Sequence, residues 1–427
     1  MSAVAQVALL HEGRVLLVDG RLPELEVDED NADHEDHRFS RALDLVGADV
    51  YLAPILQVAK GRYLDVVGCR ALPLPEGSWV EPEALGDPAL TEPLTRTCEE
   101  LAGEPHPLRP PWFRPGWYDE VEAWVDEALG ATGRRRTGVL RISRVWSISG
   151  VLRVPTDHGD VWLKASSDMF RGEAALHGVL ARHLPDDVPA LVAVDADRGW
   201  LLMEAMRGAG ESDRADGADA ALARRWGAVQ LASLDFRDEL VAAGAPVRDA
   251  AATVAGFRRA VADSPELATL APEERAAVDA VVDEVGELVH ELWDCGLPDT
   301  LSHGDLHLGN VAYDGEVLRV FDLTDVCVSH PLLDGYHLAH FDQRRPSESE
   351  LFASFVQPWR TAYPDADLRR ATELVEVVDR AFQVDTFHRI ALATEPASAY
   401  ELGGVVAWLL RRIPDAVAAA RAGAGAG

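Results

Sequence analysis

Two aspartates and one asparagine set the chemistry this chain could do. Asp305 and Asn310 stand five residues apart in His303-Gly304-Asp305-Leu306-His307-Leu308-Gly309-Asn310, and Asp322 closes Val320-Phe321-Asp322 a little further on. Phosphoryl transfer to an alcohol asks for few parts. A carboxylate must orient the hydroxyl and accept its proton, hard oxygen ligands must hold magnesium, and a cation must fix the phosphates in line. On a tight loop, Asp305 and Asn310 can supply the base and one metal ligand. Asp322, at the end of a hairpin turning at Asp314-Gly315, can supply the other. Asp334, twelve residues after Asp322, can pin the loop by accepting backbone N–H bonds, with His303 as the loop's opening support.

The cation is suggested by composition. The chain uses arginine almost to the exclusion of lysine, which occurs only at Lys60 and Lys164, and asparagine only at Asn31 and Asn310. Lys164 lies in the apolar run Val161-Trp162-Leu163-Lys164-Ala165, read as a strand. A lysine there ordinarily snorkels from an edge. In a chain whose default cation is arginine, a retained ammonium instead fits point contact with nucleotide phosphates, where the guanidinium fork is not equivalent. Glu173, on the following helix, is its expected ion-pair partner; the alternative is an ordinary exposed helix glutamate.

The block from Ser302 to Ala339 resembles the aminoglycoside phosphotransferase and choline kinase superfamily, which shares the protein-kinase-like fold. The loop reads H-G-D-x-x-x-x-N, where protein kinases carry arginine in second place, and Leu323 and Thr324 follow Asp322, so there is no D-F-G. Both features point to the small-molecule branch. The resemblance implies ATP as donor, Asp305 as base, Asn310 and Asp322 as Mg2+ ligands, and Asp334 as the family's structural aspartate. It spans roughly residues 137–412. By the same likeness Ser147-Ile148-Ser149-Gly150 takes the place of the phosphate-covering loop, with the hydroxyls of Ser147 and Ser149 turned to phosphate. Leu202-Met203-Glu204-Ala205-Met206 takes the place of the hinge. There the C=O of Glu204 and N–H of Met206 would face adenine, and the methionines would also serve the core.

These residues need elements to carry them. Apolar runs at Val139–Trp146, Val151–Val154 and Val161–Ala165 predict three strands, Phe170–His183 a helix, and Leu191–Val194 with Trp200–Met203 a hairpin. Long helices follow, apart from a β-rich stretch near 300–323. The expected class is α+β: a bilobal, protein-kinase-like arrangement with a β-rich N-lobe and hinge over 137–206 and a helical C-lobe over 207–421. Residues 105–136 read as a linker punctuated by five prolines, then a helix over Trp117–Leu129 with Trp117, Val121, Trp124 and Ala128 on one face. Residues 1–104 read as a small α/β domain with a hairpin at His11-Glu12-Gly13-Arg14 and strands at Asp49–Ala53 and Tyr63–Val67. This hairpin resembles the opening of Nudix hydrolases, but that family's glutamate-rich metal box is absent, so the domain is read as non-catalytic. The acidic stretch Glu24–Asp36, with His34 and His37, reads as a solvated loop. The Ala-Gly tail 422–427 is expected to be disordered.

Bulk properties narrow the partners. A net charge of -32 argues against nucleic acid, whose phosphates want a basic face. No apolar run reaches the roughly 18 to 20 residues of a membrane helix, and the N-terminus reads as a strand and not a signal peptide. Four scattered cysteines without a C-x-x-C pair fit a reducing cytoplasm. The expected acceptor is a hydroxylated small molecule such as an aminoglycoside, amino sugar or related alcohol. A positive charge on it is expected from Glu373, Glu376, Asp379, Asp385, Glu395 and Glu401, read as the site's outer wall beside Asp305, Asp322 and Asp325, with Arg380, Arg389, Arg411 and Arg412 able to neutralise that wall. The alternatives are a neutral sugar as acceptor, or a nucleotide-binding module without catalysis.

Overall fold

The computed structural model describes residues 3–27, 50–52, 56–59, 62–69, 76–114, 116–340 and 346–424. It is of the α+β class. The chain forms two compact units. One comprises Met1–Met169, Trp200–Met203 and Leu392–Gly403, the other Phe170–Gly199, Glu204–Ala391 and Gly404–Gly427. Most of the acidic stretch, with His34 and His37, lies outside the described residues, as do Lys60, the positions flanking the strand Val50–Leu52, and residues 425–427.

Among the described residues, the first unit contributes to two sheets. In the N-terminal one, Ala3–His11 and Arg14–Leu17 pair antiparallel around Glu12 (φ 48°) and Gly13 (φ 77°). Two left-handed residues in a two-residue loop match the twist of the flanking strands. Arg62–Cys69 runs parallel to the first strand. Ala8, Leu10, Val15 and Leu22 pack with Leu90 and Leu94 of the helix Pro88–Ala102. That helix starts on the Asp87 side chain, which accepts from the Ala89 N–H, with proline in its first turn where no donor is lost.

To the second, five-stranded sheet this unit contributes the adjacent strands Trp200–Glu204, Gly159–Ser166, Ser149–Thr156 and Arg141–Val145, in that order. The third of these begins at Ser149, so the predicted turn is shorter than its sequence suggested. The N–H of Trp146 donates to the Ser149 carbonyl, and Ser149 and Gly150 already pair with Ser166 and Ala165. The proline-rich segment lacks a continuous helix, but it is not a loose linker. Arg109, Trp112 and Phe113 are buried. Trp112 Nε1 donates to the Trp146 carbonyl at 3.0 Å. The Trp112 ring lies so close to Gly150 that an added Cβ would stand 3.2 Å from it. The helix that follows, Trp117–Ala131, buries Trp117, Tyr118, Val121, Val125 and Leu129, so its inner stripe runs through Val125 and Leu129 rather than Trp124 and Ala128.

The second unit is mostly helical around one large apolar core. Its short strands serve the loop. Thr300–Ser302 pairs antiparallel with Cys327–Ser329, and Val311–Tyr313 with Leu318–Val320. Asp314 Oδ1 caps the second hairpin's turn by accepting from the N–H groups of Glu316 and Val317. The 26-residue helix Leu368–Ala393 runs through the core. The last helix, Ile413–Ala424, includes 422–424, which the sequence reading placed in a disordered tail. Alanine's high helix propensity carries the helix through that stretch. No helix among the described residues is long and apolar enough to cross a membrane.

Candidate active site

The loop 303–310 is held chiefly through its backbone. Asp334 lies in the first turn of the helix Leu332–His340, almost fully buried. Its carboxylate accepts from Ser302 Oγ (2.7 Å), the His303 N–H (2.8 Å), the Gly304 N–H (3.1 Å), Trp226 Nε1 (2.7 Å) and Gln230 Nε2 (3.0 Å). Hydrogen bonds to an ionised acceptor are the strong kind, and here they converge on the strand end from which the loop departs. Gln383 donates to the Gly304 carbonyl at 2.8 Å. The fully buried His303 accepts the Asp305 N–H at Nδ1 (3.3 Å) and meets the Phe321 carbonyl through Nε2 (3.0 Å). That pattern puts the ring proton on Nε2 and ties the loop to the segment leading into Asp322.

Glycine at 304 is a requirement of this geometry. Its φ is +81°, and a Cβ would stand 2.6 Å from the Asp325 carbonyl oxygen. Left-handed strain and overlap with rigid backbone act together. Gly304→Ala should therefore cost at least about 2 kcal/mol of stability. Urea denaturation checks this; a near-normal midpoint would mean that the loop relaxes freely.

Asp305 and Asn310 are brought together. Asn310 Nδ2 donates to the Asp305 carbonyl (2.9 Å) and lies 3.3 Å from Oδ2 of the same residue. The Asp305 side chain is 44% exposed, so it can meet a reactant. Two histidines flank it. His337 Nε2 stands 3.0 Å from Oδ1, and His307 Nε2 3.4 Å from Oδ2. Burial pushes the Asp305 pKa up, but hydrogen bonds from His307 and His337, and their charges, hold the carboxyl well below its usual range. For His337, burial alone would lower the pKa. The hydrogen bond to Asp305 and the charges of Asp379, Asp305 and Asp334 push it up to about 9. His337 was not singled out in the sequence.

Asp322 adopts φ 60° and ψ 63°, a left-handed conformation unusual for a residue with a side chain. Its Oδ1 accepts from Thr324 Oγ1 at 2.5 Å. Glu173 is not an exposed helix residue. It is 3% exposed and begins the helix Glu173–His183, where the helix dipole favours a carboxylate. It accepts from the Leu323 N–H (3.1 Å) and from Thr324 Oγ1 (3.3 Å), which ties it to the turn after Asp322. Glu204 donates its N–H to the Ala190 carbonyl, and Met206 is half-buried two residues on.

In the other unit, Lys164 is 5% exposed on the central strand Gly159–Ser166, opposite Val151. It does not snorkel from a sheet edge. Ser147 gives both its N–H (2.8 Å) and its hydroxyl to the Glu401 carboxylate. Ser149 Oγ accepts from Trp146 Nε1 at 3.0 Å.

Several of the acids expected on an outer wall are paired with arginine. Glu395 and Glu401 belong to the first unit, where Glu395 pairs with the buried Arg109. Glu373 pairs with Arg369 and Arg370, Glu376 with Arg380, and Asp385 with Arg248. Asp379 is buried, and burial pushes its pKa up to about 6 against the charges of His337 and Arg380.

The loop 303–310, with its backbone pinned by Asp334, belongs to a chain of the small-molecule kinase class. The family model of the phosphotransferase enzymes (APH) matches residues 139–374, more than half of the chain, and the protein belongs to that family. Solved structures similar to it include a choline/ethanolamine kinase family protein from Mesorhizobium loti (17% identity, TM-score 0.48, 71% of this chain and 98% of that one). A putative fructosamine-3-kinase from Thermobifida fusca is 20% identical (TM-score 0.45, 71% and 98%). The macrolide 2'-phosphotransferase of Brachybacterium faecium is 21% identical (TM-score 0.45, 65% and 97%). A search of curated protein sequences found no match.

Proposed function

We propose that the protein transfers the γ-phosphoryl group of ATP to a hydroxyl of a small molecule, with Asp305 as the catalytic base. The observation that carries this reading is the pairing of a solvent-reachable Asp305 carboxylate with Asn310 on a loop whose backbone is fixed by Asp334. Asp305 orients the acceptor hydroxyl and takes its proton as the oxygen attacks phosphorus. Asn310 and Asp322 would hold Mg2+. An ion held there would supply positive charge to offset the negative charge that develops on the transferred phosphoryl group. The donor set fits. Among the described residues no three His, Cys, Asp or Glu side chains are grouped to hold a metal by themselves. Magnesium needs no such cage, because it takes a few hard oxygens and completes its shell with phosphate and water.

Lys164, a buried ammonium on the sheet that carries Ser149, is assigned to the nucleotide phosphates, which a compact point charge suits. Glu173 is assigned to the same nucleotide site, and its grip on the turn after Asp322 supports that. Ser147 and Ser149 are assigned to phosphate contact; Ser147 would have to exchange Glu401 for a phosphate oxygen. The backbone of Glu204 and Met206 is assigned to adenine.

The acceptor is a hydroxylated small molecule of the aminoglycoside, amino sugar or related alcohol kind. The arginine partners of Glu373, Glu376 and Asp385 reduce the unbalanced negative charge of these acids. That favours a second reading for the acceptor, a neutral sugar or alcohol.

Calorimetric titration of ATP with and without magnesium tests the metal assignment. Wild-type affinity should rise with magnesium, and Asp322→Ala should lose that dependence. A variant that keeps the full magnesium effect would remove Asp322 from the metal site.

A further inference from the structure

We propose that His337 is the positioning residue of the catalytic base, fixing through Nε2 the direction in which the Asp305 carboxylate faces the acceptor. The inference rests on the reading of Asp305 as base and deepens it.

The argument starts from one helix. Leu332–His340 carries Asp334 and His337 three residues apart, a spacing that puts both on one face. Asp334 takes the backbone N–H groups of His303 and Gly304. His337 takes the side chain of the next residue, Asp305, at 3.0 Å. A single rigid element thus sets both where the loop runs and where its carboxylate points. Backbone contacts alone cannot do the second task. Asp305 still has two side-chain torsions and a half-open surrounding, so an unheld carboxylate would sample several rotamers.

The other contacts do not replace this one. His307 belongs to the loop itself and approaches Oδ2 only to 3.4 Å, while its Nδ1 accepts the Gly309 N–H. It moves with the loop and cannot reference the carboxylate to the core. Asn310 touches Oδ2 at 3.3 Å, a long contact from a residue also assigned to the metal. His337 sits on a packed helix between Tyr336 and Leu338, both buried, with its own side chain 21% exposed. Its pKa, raised to about 9 by the Asp305 carboxylate and nearby acids, favours the imidazolium, in which Nε2 donates to Asp305 Oδ1. With Oδ1 held, the carboxylate keeps a fixed plane and a remaining lone pair for the hydroxyl proton. Misplacing a reacting group by about 1 Å can cost about 10²-fold.

The test uses the full chain and ADP release from MgATP, with water as acceptor and with the alcohol ranked first in an acceptor screen. His337→Ala should lower kcat by about 10- to 100-fold with the KM for MgATP and the thermal midpoint unchanged. His337→Gln, which restores an N–H donor, should recover most of the loss. In an Asp305→Asn background, His337→Ala should cause no further loss, because the group it positions no longer acts as base. An unchanged kcat in His337→Ala would overturn the proposal. So would a full additive loss in the Asp305→Asn background, or equal rises in the KM for MgATP for both His337 variants. Turnover that persists in Asp305→Asn overturns the base assignment and this inference together. Turnover lost there but kept in His337→Ala overturns this inference alone.

Discussion

Asp305→Asn is expected to lower turnover by about 10²- to 10⁴-fold, the usual contribution of a positioned general base, with nucleotide affinity nearly intact. The substitution keeps the side chain's size and a carbonyl oxygen for His337. It removes the group able to take a proton from the acceptor. Asp305 is assigned to the acceptor and not to the nucleotide, so binding of ATP should not report the change. Stopped turnover with normal calorimetric binding is the expected pair of results. Weakened ATP binding with near-normal turnover would move Asp305 out of the base role and into the nucleotide site.

Asp334→Ala should be the most damaging single change to stability. The carboxylate serves Ser302, His303, Gly304, Trp226 and Gln230 at once, all in the interior. Alanine would leave those donors without their shared acceptor. A buried unsatisfied donor costs about 1–3 kcal/mol, and partial relief by water reduces the sum, so a loss of at least about 3 kcal/mol is expected. Asparagine should not rescue it, because its amide would turn N–H groups toward the backbone donors. The urea midpoint of the purified variant measures the effect. A shift worth under about 1 kcal/mol would mean that the loop is anchored elsewhere.

Much of the candidate site was legible because its members lie close in sequence. Asp305, Asn310, Asp322 and Asp334 fall within thirty residues, which reads as one loop, one hairpin end and a residue able to pin the loop's backbone. The strands around Lys164 were legible from apolar runs, within a few residues of their ends. Contacts across long separations were not. His337 meets Asp305 from 32 residues away. Its one signal was its position three residues after Asp334, on the face that already grips the loop. Glu401 reaches Ser147 across 254 residues, which no local pattern encodes. The proline-rich segment was read correctly as unable to form a long helix. Its burial was missed, because Trp112 packs against Gly150 and the Trp146 carbonyl far along the chain. On the helix Leu368–Ala393 the sequence showed both the acids and their i,i+4 arginines, and the structure pairs Arg369 with Glu373 and Arg380 with Glu376.

The most direct measurement is ADP release from ATP across a panel of hydroxylated acceptors, both amino-bearing and neutral, with magnesium present and absent. The account predicts release that depends on magnesium, accelerates with one acceptor class, yields a phosphorylated acceptor, and disappears in Asp305→Asn. Release that no acceptor accelerates, or acceptor-stimulated release that survives in Asp305→Asn, would contradict it.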